Sequence, residues 1–222
     1  MTSSDRDHQP TPSNPRATIA VSGSGTVSGP PDTLMLDLGV SVLARSVGEA
    51  TGQAAAGASA VMAALGAAGV HSDDVQTTNY SIHPEFDYSR NVQRLIGYRV
   101  SNTVSVCVRD IPGAGSVIDA ATTAGGDAVV VNGVRFEIED DTPLLRAARA
   151  AAWHDALGKA GQLAELAGAV LGRAVSITES AGWTPSPMLP RRAALDVTAE
   201  STPIHGGHQQ VSVNIDVAFA IE

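Results

Sequence analysis

The sequence contains a single cysteine, Cys107, among 222 residues, so no intrachain disulfide can form. A lone cysteine in an apolar strand pattern is typical of a small core residue, because free cysteine is among the more buried residue types. A nucleophilic cysteine needs an electropositive, partly exposed site. Arg109 lies nearby in sequence, but no histidine partner is recognisable. We therefore predict that Cys107 is buried and inert.

Basic residues are also scarce: 14 Lys and Arg face 23 Asp and Glu, which gives a net charge of −9. Sequence-independent nucleic-acid binding needs Lys and Arg to displace counterions, and anionic membranes attract basic segments. The charge therefore argues against nucleic acids and anionic membrane surfaces as partners. No stretch approaches the roughly 18 apolar residues of a membrane-spanning helix.

The first segment, residues 1–16, is polar and contains Pro10, Pro12 and Pro15. It lacks the apolar region of a secretory signal peptide. Such a composition predicts a disordered N-terminal arm. As the chain stands, we expect a cytoplasmic protein. Export is the alternative, if a signal peptide was not part of this sequence.

The longest helical pattern runs from Thr142 to Leu171. Thr142 suits an N-cap, and Pro143 suits the first helical position. Gly172 is the expected stop. The positions expected to face the core are mostly alanine and recur at helical spacing: Leu145, Ala148, Ala152, Ala156, Ala160, Leu163, Ala167 and Val170. Because strand patterns flank this helix, we expect it to cover a sheet closely.

Strand and helix patterns alternate in the order ββαββ followed by αβαββ. Residues 17–27 and 33–42 flank a Gly-Pro-Pro-Asp turn, which predicts a hairpin. Antiparallel sheets with helices packed on them define an α+β fold. The expected organisation is one domain over residues 17–222, or two subdomains of about 17–109 and 110–222. Asn102 interrupts an apolar strand face, so we expect it near the sheet end or bonded to the backbone.

Residues 182–207 have no periodicity, and a loop of this length is usually functional or disordered. Its apolar side chains and paired arginines are typical of a contact with a neighbouring subunit or another protein. The candidate interaction residues are Trp183, Met188, Leu189, Arg191 and Arg192. A disordered loop tip is the alternative.

Three other patterns are compatible with bound ions, and each has a simpler explanation. Gly23-Ser24-Gly25 is followed by a strand instead of the helix that a phosphate loop opens, so bends in an edge strand are favoured. His205 and His208 lack the further ligands of a zinc site. The acidic side chains between Glu137 and Asp141 suit the positive end of the long helix without a cation.

We therefore predict no catalytic residue, no cofactor and no metal site, and we name His205 and His208 as the candidate ligands if a metal is bound. No Ser-His-Asp order stands out in the sequence.

A series of short segments spread over residues 17–222 resembles the SIMPL-domain (YggE-like) family in order and spacing. The segments are Ile19-Ala20-Val21-Ser22-Gly23-Ser24-Gly25, Pro31-Asp32, Gly39-Val40, Val75-Gln76-Thr77-Thr78-Asn79-Tyr80-Ser81-Ile82 with Pro84, Gly97-Tyr98-Arg99-Val100-Ser101-Asn102, Gly133-Val134-Arg135-Phe136, and Pro203-Ile204 with Gly206.

This resemblance implies an α+β protein that is typically exported in bacteria and able to form large ring-like oligomers. It implies no established enzyme activity or cofactor, and it suggests roles in protein interaction or stress tolerance. We expect a non-enzymatic protein that forms homo-oligomers. The alternative is a small-molecule or metal-binding protein, or an unrecognised enzyme, that uses residues 182–207 as a lid.

Overall fold

The computed structural model describes residues 17–88, 93–180, 186–187 and 204–222. Its strands are β1 Thr18–Gly29, β2 Thr33–Ala44, β3 Val75–Asp87, β4 Arg94–Val108, β5 Val129–Glu137, β6 Leu171–Glu179, β7 Ser186–Pro187 and β8 Gln209–Ile221. Its helices are α1 Val47–Ala67, α2 Ala114–Gly125 and α3 Thr142–Ala167. The order confirms the predicted α+β fold, with the two-residue strand β7 in addition. The predicted arm, residues 1–16, lies outside the described residues.

Local signals place most helix ends correctly. The side chain of Ser46 caps α1 by accepting a hydrogen bond from the backbone N–H of Glu49 at 3.2 Å, and Gly69 follows the helix with a φ of +89°. The predicted end of α3 near Leu171 is wrong. This helix ends at Ala167, and Gly168 takes a φ of +67°. The chain turns early because Val170 already pairs with Glu222 through two backbone hydrogen bonds.

The described chain forms two compact units that are discontinuous in sequence. Unit 1 contains residues 17–27, 142–180 and 210–222, and unit 2 contains residues 28–88, 93–141, 186–187 and 204–209. The sequence predicts one domain over residues 17–222, or two consecutive subdomains that meet near residue 109. The two units are instead interleaved along the chain. Unit 1 unites the two ends of the described chain because β1 pairs with β8.

The predicted hairpin of β1 with β2 is wrong, because the two strands lie in different sheets. β2 pairs on one side with β4 and on the other with β5, so neither of its edges is left for β1. β1 instead lies at one edge of the sheet with the order β1-β8-β6. The Gly-Pro-Pro-Asp turn therefore connects two strands that belong to different sheets.

In unit 1, α3 covers one face of the β1-β8-β6 sheet. Five alanines at four-residue spacing are buried along the helix: Ala148, Ala152, Ala156, Ala160 and Ala164. The first four of these alanines pack against alternate apolar residues of β8: Val211, Val213, Ile215, Val217 and Phe219. Trp153 of α3 adds a ring contact to Phe219, with centroids 5.7 Å apart. Small side chains on the helix allow this close approach, as the alanine-rich pattern predicts.

In unit 2, four antiparallel strands in the order β3-β4-β2-β5 carry α1 and α2 on one face. The register pairs Leu34 with Val108 and Leu38 with Val104, so apolar side chains of neighbouring strands meet on the helix-covered face. Leu34, Leu36 and Leu38 are fully buried. The opposite face carries polar side chains such as Asp37 and Ser41.

Candidate functional site

The predicted interaction residues lie outside the described part of the chain. They are Trp183, Met188, Leu189, Arg191 and Arg192. The metal candidates His205 and His208 are described, and both are exposed. Within residues 17–88, 93–180 and 204–222, no three His, Cys, Asp or Glu side chains are grouped as a metal ion would require. None of the helices in these ranges is long and apolar enough to cross a membrane.

Gly23 and Gly25 serve the packing of α3 on β1. A Cβ atom at Gly23 would overlap the carbonyl oxygen of Ala152, and a Cβ atom at Gly25 would overlap that of Ala148. β1 is an edge strand, as the sequence predicts, and a strand rather than a helix follows these glycines. The glycines thus allow a close backbone approach.

Arg109 in unit 2 binds two carboxylates. Its Nε and Nη2 donate to Glu139 Oε2 and Oε1 at 3.1 and 2.8 Å, and its Nη1 donates to Asp74 Oδ1 at 2.6 Å. These bonds lower the pKa of Glu139 and raise that of Arg109. The charge of Glu139 is therefore already compensated within the chain. The acidic run between Glu137 and Asp141 thus offers less negative charge to a cation or to the arginines of a partner.

Cys107 is half-buried, so the prediction that it is buried is wrong. It alternates with Val106 and Val108, which places its side chain on the sheet face away from α1 and α2. Burial is nevertheless the main effect on the thiol and raises its pKa. Cys107 and Arg109 border a depression of about 510 Å³ whose lining contains no histidine. This environment disfavours the thiolate that a nucleophile requires.

Side chains of α3 occupy the outer edge of β1. Lys159 Nζ donates to the carbonyl oxygen of Ser22 at 2.9 Å, and the backbone N–H of Ser24 donates to Asp155 Oδ2 at 2.8 Å. Lys159 and Asp155 also pair with each other at 2.7 Å, and the hydrogen bond from Lys159 is the main cause of the lowered pKa of Asp155. Because these backbone groups are occupied, another strand cannot pair with β1 at this point.

Three large apolar side chains are exposed at the C-terminal end of α3. Leu163, Leu166 and Val170 are 45%, 79% and 68% exposed, and we call them the α3 end surface. The sequence predicts Leu163, Ala167 and Val170 as core positions, and all three are exposed. The prediction is wrong because the buried stripe keeps a spacing of four residues and continues at Ala164. Apolar residues that suit a core thus lie on the surface of the single chain.

The sequence patterns did not identify this surface or the occupied β1 edge. The Asp155–Lys159 spacing of four residues is a visible signal for an ion pair on a helix. The contact of this pair with β1 spans more than a hundred residues of sequence, so local patterns do not show it.

Comparison with known proteins identifies relatives over nearly the whole chain. Over 219 residues the chain is 31% identical to the 26 kDa periplasmic immunogenic protein of Brucella melitensis biotype 1. The aligned region covers 93% of this chain and 85% of that protein. Over 211 residues it is 27% identical to the uncharacterized protein YggE of Escherichia coli K12, with 92% and 83% covered.

A family model described as "SIMPL: Protein of unknown function (DUF541)" matches residues 19–219. The matched range contains the alanine-rich helix and all strands from β2 to β7, together with most of β1 and β8. It also contains the segments whose order and spacing resemble this family. The chain therefore belongs to the SIMPL family of proteins of unknown function.

Proposed function

We propose that this protein is non-enzymatic and assembles with copies of itself, and that the α3 end surface lies in a contact between copies. The observation that carries the proposal is the exposure of three large apolar side chains, Leu163, Leu166 and Val170, of which Leu163 and Val170 have the pattern of core residues. Burying one such side chain contributes roughly 1.5–3 kcal/mol, so leaving all three in water is costly. A second copy of the chain would remove them from water.

Three side chains are too few for a stable assembly by themselves. A specific interface buries roughly 800 Å² on each partner, and association also costs translational and rotational freedom. The proposal therefore includes a second contact element, residues 183–192, which contains Trp183 and Met188. Trp and Met are enriched in interfaces, and Arg191 and Arg192 can pair with carboxylates of another copy.

We further propose that the protein acts outside the cytoplasm in an interaction or stress-related role. The name of the Brucella relatives assigns those proteins to the periplasm. Cell fractionation of the source organism, with antibody detection, tests the location. Detection in the cytoplasmic fraction alone would contradict this part of the proposal.

The assembly is tested by replacing one leucine of the α3 end surface with glutamate. We expect the wild type to be an oligomer, and we expect Leu163→Glu to lower its mass because a carboxylate would be buried in the contact. Light scattering after size exclusion measures the mass, and circular dichroism verifies folding.

Leu95→Glu is the matched control, since Leu95 in unit 2 has the same 45% exposure as Leu163. The control should keep the mass of the wild type. A monomeric wild type, or equal masses for all three proteins, contradicts the assembly through this surface.

A further inference from the structure

Asn102 is an unexpected polar residue on the helix-covered face of unit 2. It lies in the middle of the sheet, opposite Val40 of β2 and Tyr80 of β3, and its neighbours on that face of β4 are Val100 and Val104. Asn102 therefore does not lie at the sheet end, which is one of the two positions expected from the sequence. Its Oδ1 atom is buried and has no hydrogen-bond donor among the described residues. A buried acceptor without a donor costs roughly 1–3 kcal/mol, so its presence calls for a compensating role.

A cavity of about 140 Å³ borders Asn102 between α1 and the sheet. Ala58 of α1 contributes a small side chain to the wall of this cavity, and a leucine at this position would take up part of the space. Apolar side chains form most of the wall: Leu38, Val40, Val61, Met62 and Val104. An apolar cavity of about 150 Å³ in another protein holds benzene, so this volume suits a single six-membered ring.

Two polar side chains, Asn102 and Thr77, border this otherwise apolar space. A water molecule needs two to four polar partners and gains little from apolar walls. A ring with one O–H or N–H group fits better, because its body removes apolar surface from water and its donor can bond to the unpaired oxygen of Asn102 once the carboxamide turns toward the cavity. Rotation about χ2 of Asn102 is soft and can turn the carboxamide toward the cavity.

Met62 lies between this cavity and the solvent. Its side chain is 40% exposed and borders the space. Methionine is unbranched and rotates easily, so a small ring can enter without a backbone change.

We propose that this cavity binds a small single-ring molecule that carries one hydrogen-bond donor, with Asn102 as the acceptor that orients it. The site lies wholly within unit 2 and does not depend on assembly. Asn102 then selects ligands with a donor over purely apolar ligands of the same size, since an apolar ligand leaves its oxygen unpaired.

Calorimetric titration with phenol and with toluene tests the proposal, because the two rings have similar size and only phenol has a donor. We expect saturable phenol binding at one site and toluene binding about tenfold weaker, which is the effect of one hydrogen bond. Asn102→Leu should weaken phenol binding about tenfold and remove the preference. Asn79→Leu, at an exposed position in the same sheet, should leave both affinities unchanged.

Ala58→Leu should abolish binding of both compounds by filling the cavity, and circular dichroism verifies that each variant is folded. Equal affinities of the wild type for phenol and toluene would overturn the role of Asn102. Absence of saturable binding by the wild type, or phenol binding that survives Ala58→Leu, would overturn the site itself.

Discussion

Cys107 and Arg109 are neighbours in sequence, yet the arginine does not activate the cysteine. The positive charge of Arg109 lowers the pKa of the thiol, but burial raises it more. The carboxylates of Asp74 and Glu139, which bind Arg109, raise it further. A basic residue near a cysteine therefore has little effect when carboxylates compensate its charge.

We expect Cys107 to react slowly with a thiol reagent at pH 8. Only the thiolate reacts, and a raised pKa leaves less thiolate at this pH than an unperturbed cysteine has. The control is the same protein unfolded in urea, where the thiol regains its ordinary pKa. Labelling of the native protein as fast as that of the unfolded protein would refute the prediction and reopen a catalytic role for Cys107.

α3 packs closely on β1 because the helix contributes alanines and the strand contributes glycines to the contact. Ala148 and Ala152 lie directly over Gly25, and no space remains for a further carbon atom. Asp155 and Lys159 then extend from the same helix to the outer edge of the strand. Both the close packing on Gly25 and the hydrogen bonds to the edge of β1 therefore require α3 to lie at this short distance from the sheet.

Replacement of glycine by alanine should destabilise the protein at one position in β1 and stabilise it at one position in α3. Gly25→Ala should destabilise unit 1 by about 1–3 kcal/mol because the added methyl group meets the backbone of α3. Gly158→Ala, in open space on α3, should stabilise it by about 0.5–1 kcal/mol through helix propensity. Urea unfolding curves measure both. A Gly25→Ala variant as stable as the wild type would show that the helix does not lie this close.

The two ends of the described chain belong to the same unit of the molecule. Residues 17–27 and 210–222 lie side by side in unit 1, and the chain between them supplies unit 2 and residues 142–180 of unit 1. The proposed contact surface at the end of α3 belongs to unit 1, and the proposed ligand cavity belongs to unit 2. Assembly and ligand binding can therefore be tested separately.

Replacement of residues 183–192 by a Gly/Ser linker of equal length should lower the mass of the oligomer while the fold persists. The expected loss follows from the removal of Trp183 and its apolar neighbours, which would supply most of the contact energy. Replacement of residues 2–11 by the same linker is the control and should leave the mass unchanged. Light scattering measures the mass of both variants. An unchanged mass in the variant that lacks residues 183–192 would rule out this contact element.

Local sequence patterns are sufficient to predict most of the helices and strands and the fold class. Ser46 and Gly69 mark the ends of α1, and the alanine spacing marks the buried face of α3, because these signals act within a few residues. Alternation in β2 and β4 likewise predicts the buried face of each strand. The α+β class follows from the order of these elements.

The pairing of the strands and the exposure of some apolar residues depend instead on tertiary packing. β1 pairs with β8, nearly two hundred residues away, because both sides of β2 are occupied by β4 and β5. Leu163 and Val170 have the pattern of core residues and are exposed because the buried stripe follows the alanines. Partner choice depends on which edges and faces remain free after the other elements have packed, and no local pattern carries that information.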